Sequence, residues 1–469
     1  MKVLFSHGYF LADDTKEMKI MKPYPPLGLL YLSAWLDKFG LENEVFDTTF
    51  SSFDLLKKQL LLEKAPIVAL YANLMTKVRL LDIIRFIRQE PSLSNSLIVL
   101  GGPDVTYNCA DYLANGADVL VIGEGEQSML ELALAYKSDM SRAARIKQFS
   151  QISGLAFLLE DGTEHKTTPR EKIRQLDDLP FPNRHKIDLE LYLKSWKKTH
   201  GESAISLSTQ RGCPYTCKWC STAVYGQSYR RRSPVNVVDE IVQLQQQYEF
   251  DHIWFVDDVF TVSHNWIADF HKELTERQVS IKFECITRAD RLNEAVLNQL
   301  RACGCSRIWI GAESGSQRII DAMDRRVTVD QVRSMIQIAR DEGIETGTFI
   351  MLGYPGEKEE DIRETVHHLK MANPDLFTIT LTYPIKGTAL YEEVEPSIIE
   401  EKPWQVSSDR DRDFKRTYSK RYYGFAIRWV VNSVNLHKQK SSGKAFTINQ
   451  LLLQIKIQTA RLGMIFSRL

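Results

Sequence analysis

Short apolar runs alternate with amphipathic segments in two long blocks of this chain, and few architectures can bury such runs. In the first block, residues 1–137, apolar runs lie at 2–7, 44–47, 67–71, 97–100 and 119–122, with helical patterns at 25–39, 53–62, 78–88 and 127–136. Strands that are apolar on both faces need helices on both faces, so this block predicts a parallel, doubly wound α/β sheet. The second block, 204–395, repeats the alternation with runs at 204–208, 252–256, 282–286, 307–310, 346–352 and 376–382. Six successive strand-helix units predict a parallel, partly open barrel with its function at the carboxyl ends of the strands. Between the blocks, 138–203 reads as a connector with a β-hairpin over 154–166 and a proline-set extended stretch at 176–182. The last segment, 396–469, reads as a basic helical C-terminal region.

Three cysteines sit at the start of the second block, in Arg211-Gly-Cys213-Pro-Tyr-Thr-Cys217-Lys-Trp219-Cys220, a C-x3-C-x2-C spacing. A structural zinc site needs four ligands, and neither His200 nor His252 stands at knuckle spacing from these thiols. A disulfide framework does not suit seven cysteines, an odd number. No signal-peptide pattern precedes the first strand, so a reducing, cytoplasmic setting is expected. Cys109, Cys285, Cys303 and Cys305 lie in or beside apolar segments, where cysteine packs as a small core residue. Three thiolates can instead hold three irons of a four-iron, four-sulfur cube and leave the fourth iron open to a small ligand.

This loop resembles the cluster-binding loop of the radical S-adenosylmethionine (radical SAM) enzymes, including the aromatic Trp219 before the last cysteine and the strand that precedes it. The resemblance implies that Cys213, Cys217 and Cys220 are both the metal ligands and the catalytic centre. It also implies that S-adenosylmethionine chelates the open iron and is cleaved to a 5′-deoxyadenosyl radical. An external electron donor of the flavodoxin or ferredoxin type is implied as well. On the strand ends of the second block, it assigns Asp257 or Asp258 to the amino group, Arg288 to the carboxylate and Glu313, with Ser314, to the ribose. Gly353 would flank the adenine. These assignments suit the cofactor, whose ammonium and hydroxyls need acceptors and whose carboxylate needs a cation.

The first block resembles the cobalamin-binding domain fused ahead of many such enzymes, through Pro25-Pro26-Leu27-Gly28-Leu29, Gly101-Gly102-Pro103 and Gly123-Glu124-Gly125-Glu126. Gly101, Gly102, Asp104, Gly123, Glu124 and Gly125 become the expected corrin contacts. The D-x-H-x-x-G motif that supplies a histidine to cobalt is absent, so the lower face of cobalt should lack one. Asp104 stands where the group often has histidine. No G-x-G-x-x-G opens the first helix and no Walker A lysine is present, which argues against a dinucleotide or nucleoside triphosphate.

The expected activity is therefore that of a cobalamin-dependent radical SAM enzyme that methylates an unactivated carbon of a small-molecule or lipid-like metabolite. Oxidative cyclisation, as in the anaerobic magnesium-protoporphyrin monomethyl ester cyclase group, or rearrangement and carbon-carbon bond formation in porphyrin or hopanoid tailoring, is the alternative without net methylation. A corrinoid- and cluster-binding sensor is the alternative of another class, and it has no need of an open iron. Lysine plus arginine and aspartate plus glutamate are equal at 60, so net charge singles out no partner. No nucleic-acid-binding module follows the barrel, and none is expected as a partner. From Phe414 to Leu469 there are eleven lysines and arginines and no acid. That run reads either as a cap over the barrel mouth or as a peripheral membrane contact for anionic lipid.

Overall fold

The computed structural model describes residues 2–221, 225–399, 402–441 and 447–468. It divides into two compact units. One comprises Met1–Pro214, Thr222–His252 and Lys402–Ser408, the other Tyr215–Ser221, Ile253–Glu401 and Asp409–Leu469.

The first unit is built on a sheet of strands β1 (Val3–His7), β2 (Asn43–Phe46), β3 (Ile67–Tyr71), β4 (Leu97–Gly101), β5 (Val119–Val121), β6 (Leu155–Leu158) and β7 (Glu164–Lys166). Their spatial order is β2-β1-β3-β4-β5-β6-β7. The first five pair in parallel, and the expected hairpin, β6 and β7, is added antiparallel at the edge. Both faces are covered, as the apolar strands require. Leu4, Val68 and Ile98 pack on one side with Leu56, Leu60, Leu80 and Ile84 from the helices Phe53–Glu63 and Lys77–Gln89. Val3, Phe5, Ile67 and Val99 pack on the other with Leu30, Leu36, Met129 and Leu132 from the helices Leu27–Lys38 and Glu126–Ala135. The order reverses between β1 and β3, and in such sheets a crevice forms at the carboxyl ends there.

The strand expected before the cysteines forms as β8 (Ala204–Leu207), followed by the short antiparallel pair β9 (Gln210–Arg211) and β10 (Arg230–Arg231). A buried charge triad anchors this stem. Glu240, on the helix Pro234–Gln247, lies 2.5 Å from Arg184 Nη1 and also pairs with Arg232. Arg184 donates to the Ser206 carbonyl and Arg232 to the Ser208 carbonyl, each at 2.9 Å.

The second unit carries the parallel strands β11 (His252–Phe255), β12 (Phe283–Thr287), β13 (Cys305–Glu313), β14 (Glu345–Leu352) and β15 (Leu376–Leu381). These strands stand in the order β15-β14-β13-β12-β11, and no pairing among the described residues closes the sheet back on β15. Ser263, Asn293 and Thr328 cap the helices that follow successive strands by accepting from a backbone N–H of the first turn. β13 runs past the expected 307–310 to Glu313, because Gly311 continues the strand instead of ending it. Its register with β14 shifts between Gly311 and Glu313. The basic C-terminal region forms two helices, Lys420–Ser441 and Ile448–Phe466, of which the first packs on the helix Glu359–Ala372. Gly463 meets the Phe425 ring so closely that a Cβ would lie 2.5 Å from it, which allows the two helices to approach.

Burial alone would push the Glu240 carboxyl up, but Arg184 and Arg232 outweigh it and hold the group below its usual range. Its contribution is therefore present above the ordinary carboxylate pKa and lost as pH falls through the lower folded value. Glu240→Gln, which leaves two buried guanidiniums without their anion, should cost roughly 3–5 kcal/mol at neutral pH. Urea unfolding across an acid series should show this difference narrowing below about pH 4.

Candidate active site

In the second unit, the segment Tyr215–Ser221 is held against the turns that follow β12 and β13. Thr216 Oγ1 donates to Asp324 (2.6 Å), Lys218 N donates to the Met323 carbonyl (3.1 Å), and Leu390 N donates to the Lys218 carbonyl (2.9 Å). Trp219 packs on Ile319, Met323, Tyr354 and Leu390, which explains an aromatic at that place in the loop. Two buried arginines reach Cys217 Sγ: Arg288 Nη1 at 3.5 Å and Arg325 Nη1 at 3.6 Å. Arg288 lies 3.9 Å over the Tyr215 ring, donates Nε to Asp290 (2.8 Å) and Nη2 to the Arg325 carbonyl (2.6 Å). Its guanidinium thus touches the loop at Tyr215 and Cys217. Arg325 reaches Gly311 O (3.2 Å) and Glu313 Oε1 (3.6 Å), while its buried Nε has no hydrogen-bond partner.

Glu313 ends β13 with φ +63°, a left-handed conformation that a residue with a side chain seldom adopts. Such strain next to a bulge re-aims a side chain, here towards the arginine pair. Burial pushes its carboxyl above the usual range, against the pull of Arg325 and Arg288. Asp257 is buried and Asp258 exposed at the end of β11. Ser314 turns instead into the protein, 3.3 Å from Thr365 Oγ1 on the helix Glu359–Ala372, where Gly315 N also donates to Thr365. Gly353, at φ +79°, has Leu381 and Arg416 so near that a Cβ would stand 2.7 Å and 3.0 Å from them. Its N–H donates to Glu357 Oε2 at 2.6 Å.

The thiols differ in exposure: Cys213 is buried, Cys217 half-buried and Cys220 exposed. No three His, Cys, Asp or Glu side chains among the described residues converge on one metal ion. Ligands of a cube bind separate irons and have no need to converge, whereas a closed zinc site does.

In the first unit, a cavity of about 200 Å³ is lined from β1, β3, β4 and β5 and from the helices Leu27–Lys38 and Glu126–Ala135. Apolar Phe5, Leu29, Leu32, Val99, Val121 and Met129 line it, and Gly28, Gly101, Gly102, Gly123 and Gly125 form part of its wall. A Cβ on Gly123 would meet nothing within 4 Å, so this rim leaves room for a ligand to touch backbone. Gly102 serves the turn itself, since at φ +117° a Cβ would lie 2.4 Å from the Ala72 carbonyl.

The carboxylates expected to contact a ligand here have protein partners, and Glu124 also lines the cavity. Asp104 accepts from Tyr112 Oη at 2.5 Å. Glu124 pairs with Arg230 (2.7 Å) and accepts from Ile173 N (2.6 Å). Beside it, Arg211 pairs with Glu126 at 2.5 Å and lies over the Tyr31 and Tyr225 rings. Sequence reasoning missed Arg211, Arg325, Tyr225 and Glu357. Arg211 stands two residues before Cys213, which was a usable signal; Arg325, in a polar turn after a short helix, offered none.

The Radical SAM superfamily matches residues 207–369, and the B12 binding domain matches residues 19–133. An uncharacterized methyltransferase of Pyrococcus horikoshii is 27% identical over 376 residues, 78% of this chain and 78% of that one. The anaerobic magnesium-protoporphyrin IX monomethyl ester cyclase of Rubrivivax gelatinosus is also 27% identical, over 84% of this chain and 70% of the cyclase. In fold, the chain is similar to the cobalamin-dependent S-adenosylmethionine radical enzyme OxsB with aqua-cobalamin bound. The TM-score is 0.73 at 17% identity, covering 99% of this chain and 72% of that one.

Burial drives the Glu357 carboxyl up to about 8, with only the Gly353 N–H and Arg318 opposing. An acid with a raised folded value stabilises fully below its unfolded value and loses that contribution as pH rises through the folded one. The wild-type melting temperature should therefore fall between about pH 5 and about pH 8, and Glu357→Gln should flatten that slope in calorimetric scans.

Proposed function

We propose that this chain, which matches both a B12 binding domain and the Radical SAM superfamily, is a cobalamin-dependent radical SAM enzyme that methylates an unactivated carbon of a small-molecule or lipid-like substrate. When bound, the cluster and S-adenosylmethionine supply a 5′-deoxyadenosyl radical on receipt of an electron from a flavodoxin- or ferredoxin-type donor, and cobalamin supplies the methyl group. The observation that carries this reading is Cys217 between two buried guanidiniums, beside a bulged and buried glutamate at the carboxyl end of a parallel sheet.

Each residue has work that suits these groups. Cys213, Cys217 and Cys220 would hold three irons, and Arg288 and Arg325 would place positive charge against a thiolate. Glu313 would accept from the ribose hydroxyls, and Asp257 or Asp258 would meet the amino group. Arg325 Nε, buried and unpartnered, is a donor available for a carboxylate beside Arg288. The Gly353 turn would flank adenine. In the first unit, the open glycine rim and apolar cavity suit a flat, largely apolar macrocycle with an inserted tail. Backbone at Gly101, Gly102, Gly123 and Gly125 would contact it, while Glu124 acts through Arg230 and the Ile173 N–H.

The cyclase reading keeps the same cofactors, and the equal identity to a methyltransferase and a cyclase motivates it. Protein reconstituted without oxygen with iron, sulfide and cobalamin should form 5′-deoxyadenosine from S-adenosylmethionine, and Cys217→Ala should abolish it. Extract of a deletion strain, incubated with this protein, should yield a product heavier by one methyl group. Oxidation or ring closure without that gain would support the cyclase reading instead.

A further inference from the structure

The helix Ile448–Phe466 has two apolar faces, and the fold uses one. Leu453, Ala460 and Met464 are buried, on the side where Gly463 meets Phe425. On the other side Ile448, Leu452, Ile455, Leu462, Ile465 and Phe466 are exposed, Ile448 at 80% and Phe466 at 85%. Their spacing keeps them on one stripe along the helix. Lys456 and Arg461 are also exposed on this helix. The stretch from Phe414 onward holds eleven cations and no acid, and of these Arg416 and Arg468 pair with Asp413 and Glu359. An apolar stripe of this length, interrupted by the exposed Gln458 and Thr459, is uncommon on a monomer without a partner.

Charge selects the occupant. A second copy would bring the exposed Lys456 and Arg461 against their own kind, and an uncharged partner would leave both unused. No helix among the described residues is long and apolar enough to cross a membrane. We propose that this face docks on an anionic lipid bilayer, the helix lying in the interface plane with its apolar stripe among the acyl chains and Lys456 and Arg461 at the headgroups. The proposal rests on no assignment of the substrate or the reaction.

Full-length protein should sediment with vesicles of equal parts phosphatidylcholine and phosphatidylglycerol, and stay in solution with phosphatidylcholine alone. The double substitution Ile455→Glu, Leu462→Glu should weaken that binding at least about tenfold. Lys456→Glu with Arg461→Glu, which alters no apolar contact, should weaken it too and reduce its dependence on salt. Unchanged melting curves would show that both variants fold. Binding to neither vesicle, equal binding to both, or undiminished binding by the first variant overturns the proposal. So does a concentration-dependent dimer that the first variant abolishes while wild type ignores the vesicles, since the face then belongs to a second copy.

Discussion

Buried guanidinium groups, each answered by an anion, hold the segments from which the chemistry is built. In the first unit, Arg184 and Arg232 share Glu240 and fasten β8 through the Ser206 and Ser208 carbonyls. Two residues before the first loop cysteine, Arg211 is fixed by Glu126 between two tyrosine rings. In the second unit, Arg288 and Arg325 take Asp290, Glu313 and the Cys217 sulfur. Such pairs add little net stability over an apolar core, because desolvation offsets their attraction. What they supply is position. A misplaced segment leaves a charge buried and alone, and that is the arrangement the chain avoids most strongly.

The same economy shapes the ends of the strands. In both units the parallel sheets finish in turns where backbone, not side chain, has to be accessible or closely packed. Gly123 leaves open space at the cavity rim, while Gly353 is crowded by Leu381 and by Arg416 of the C-terminal region. The extra residue in β13 does the opposite job, turning one carboxylate inward at a cost in backbone conformation. The C-terminal region thus contributes to the site by pressing on the Gly353 turn, and its outermost helix face remains for another surface.

Most of the architecture was legible because apolar periodicity reports burial. Strands β1 to β5, the 154–166 hairpin and the helices between them stand within a residue or two of the expected runs. The short helices Thr15–Ile20, Cys109–Ala114 and Arg142–Phe149 were not foreseen, nor was Leu189–His200 in the connector, although Leu189, Tyr192, Leu193 and Trp196 form its buried stripe. The candidate site was legible where covalent spacing carries the signal, as with the cysteines. It was not legible where tertiary pairing decides. Asp104 and Glu124 look ligand-facing from their glycine turns; folding gives them Tyr112, Arg230 and Ile173 as partners, and of the two Glu124 lines the cavity. Ser314 follows Glu313 closely but faces Thr365. Arg325 has no distinguishing neighbours in sequence and becomes central only when folding places it beside Cys217.

All of these devices matter to function only if the loop they position carries a cluster with one iron free for S-adenosylmethionine. The most direct test is electron paramagnetic resonance of the oxygen-free, reconstituted and chemically reduced protein, recorded before and after S-adenosylmethionine is added. The account predicts the spectrum of one reduced four-iron cluster per chain, altered on addition as the free iron gains ligands. A reduced protein without an iron-sulfur signal, or with one that S-adenosylmethionine leaves unchanged, would contradict it.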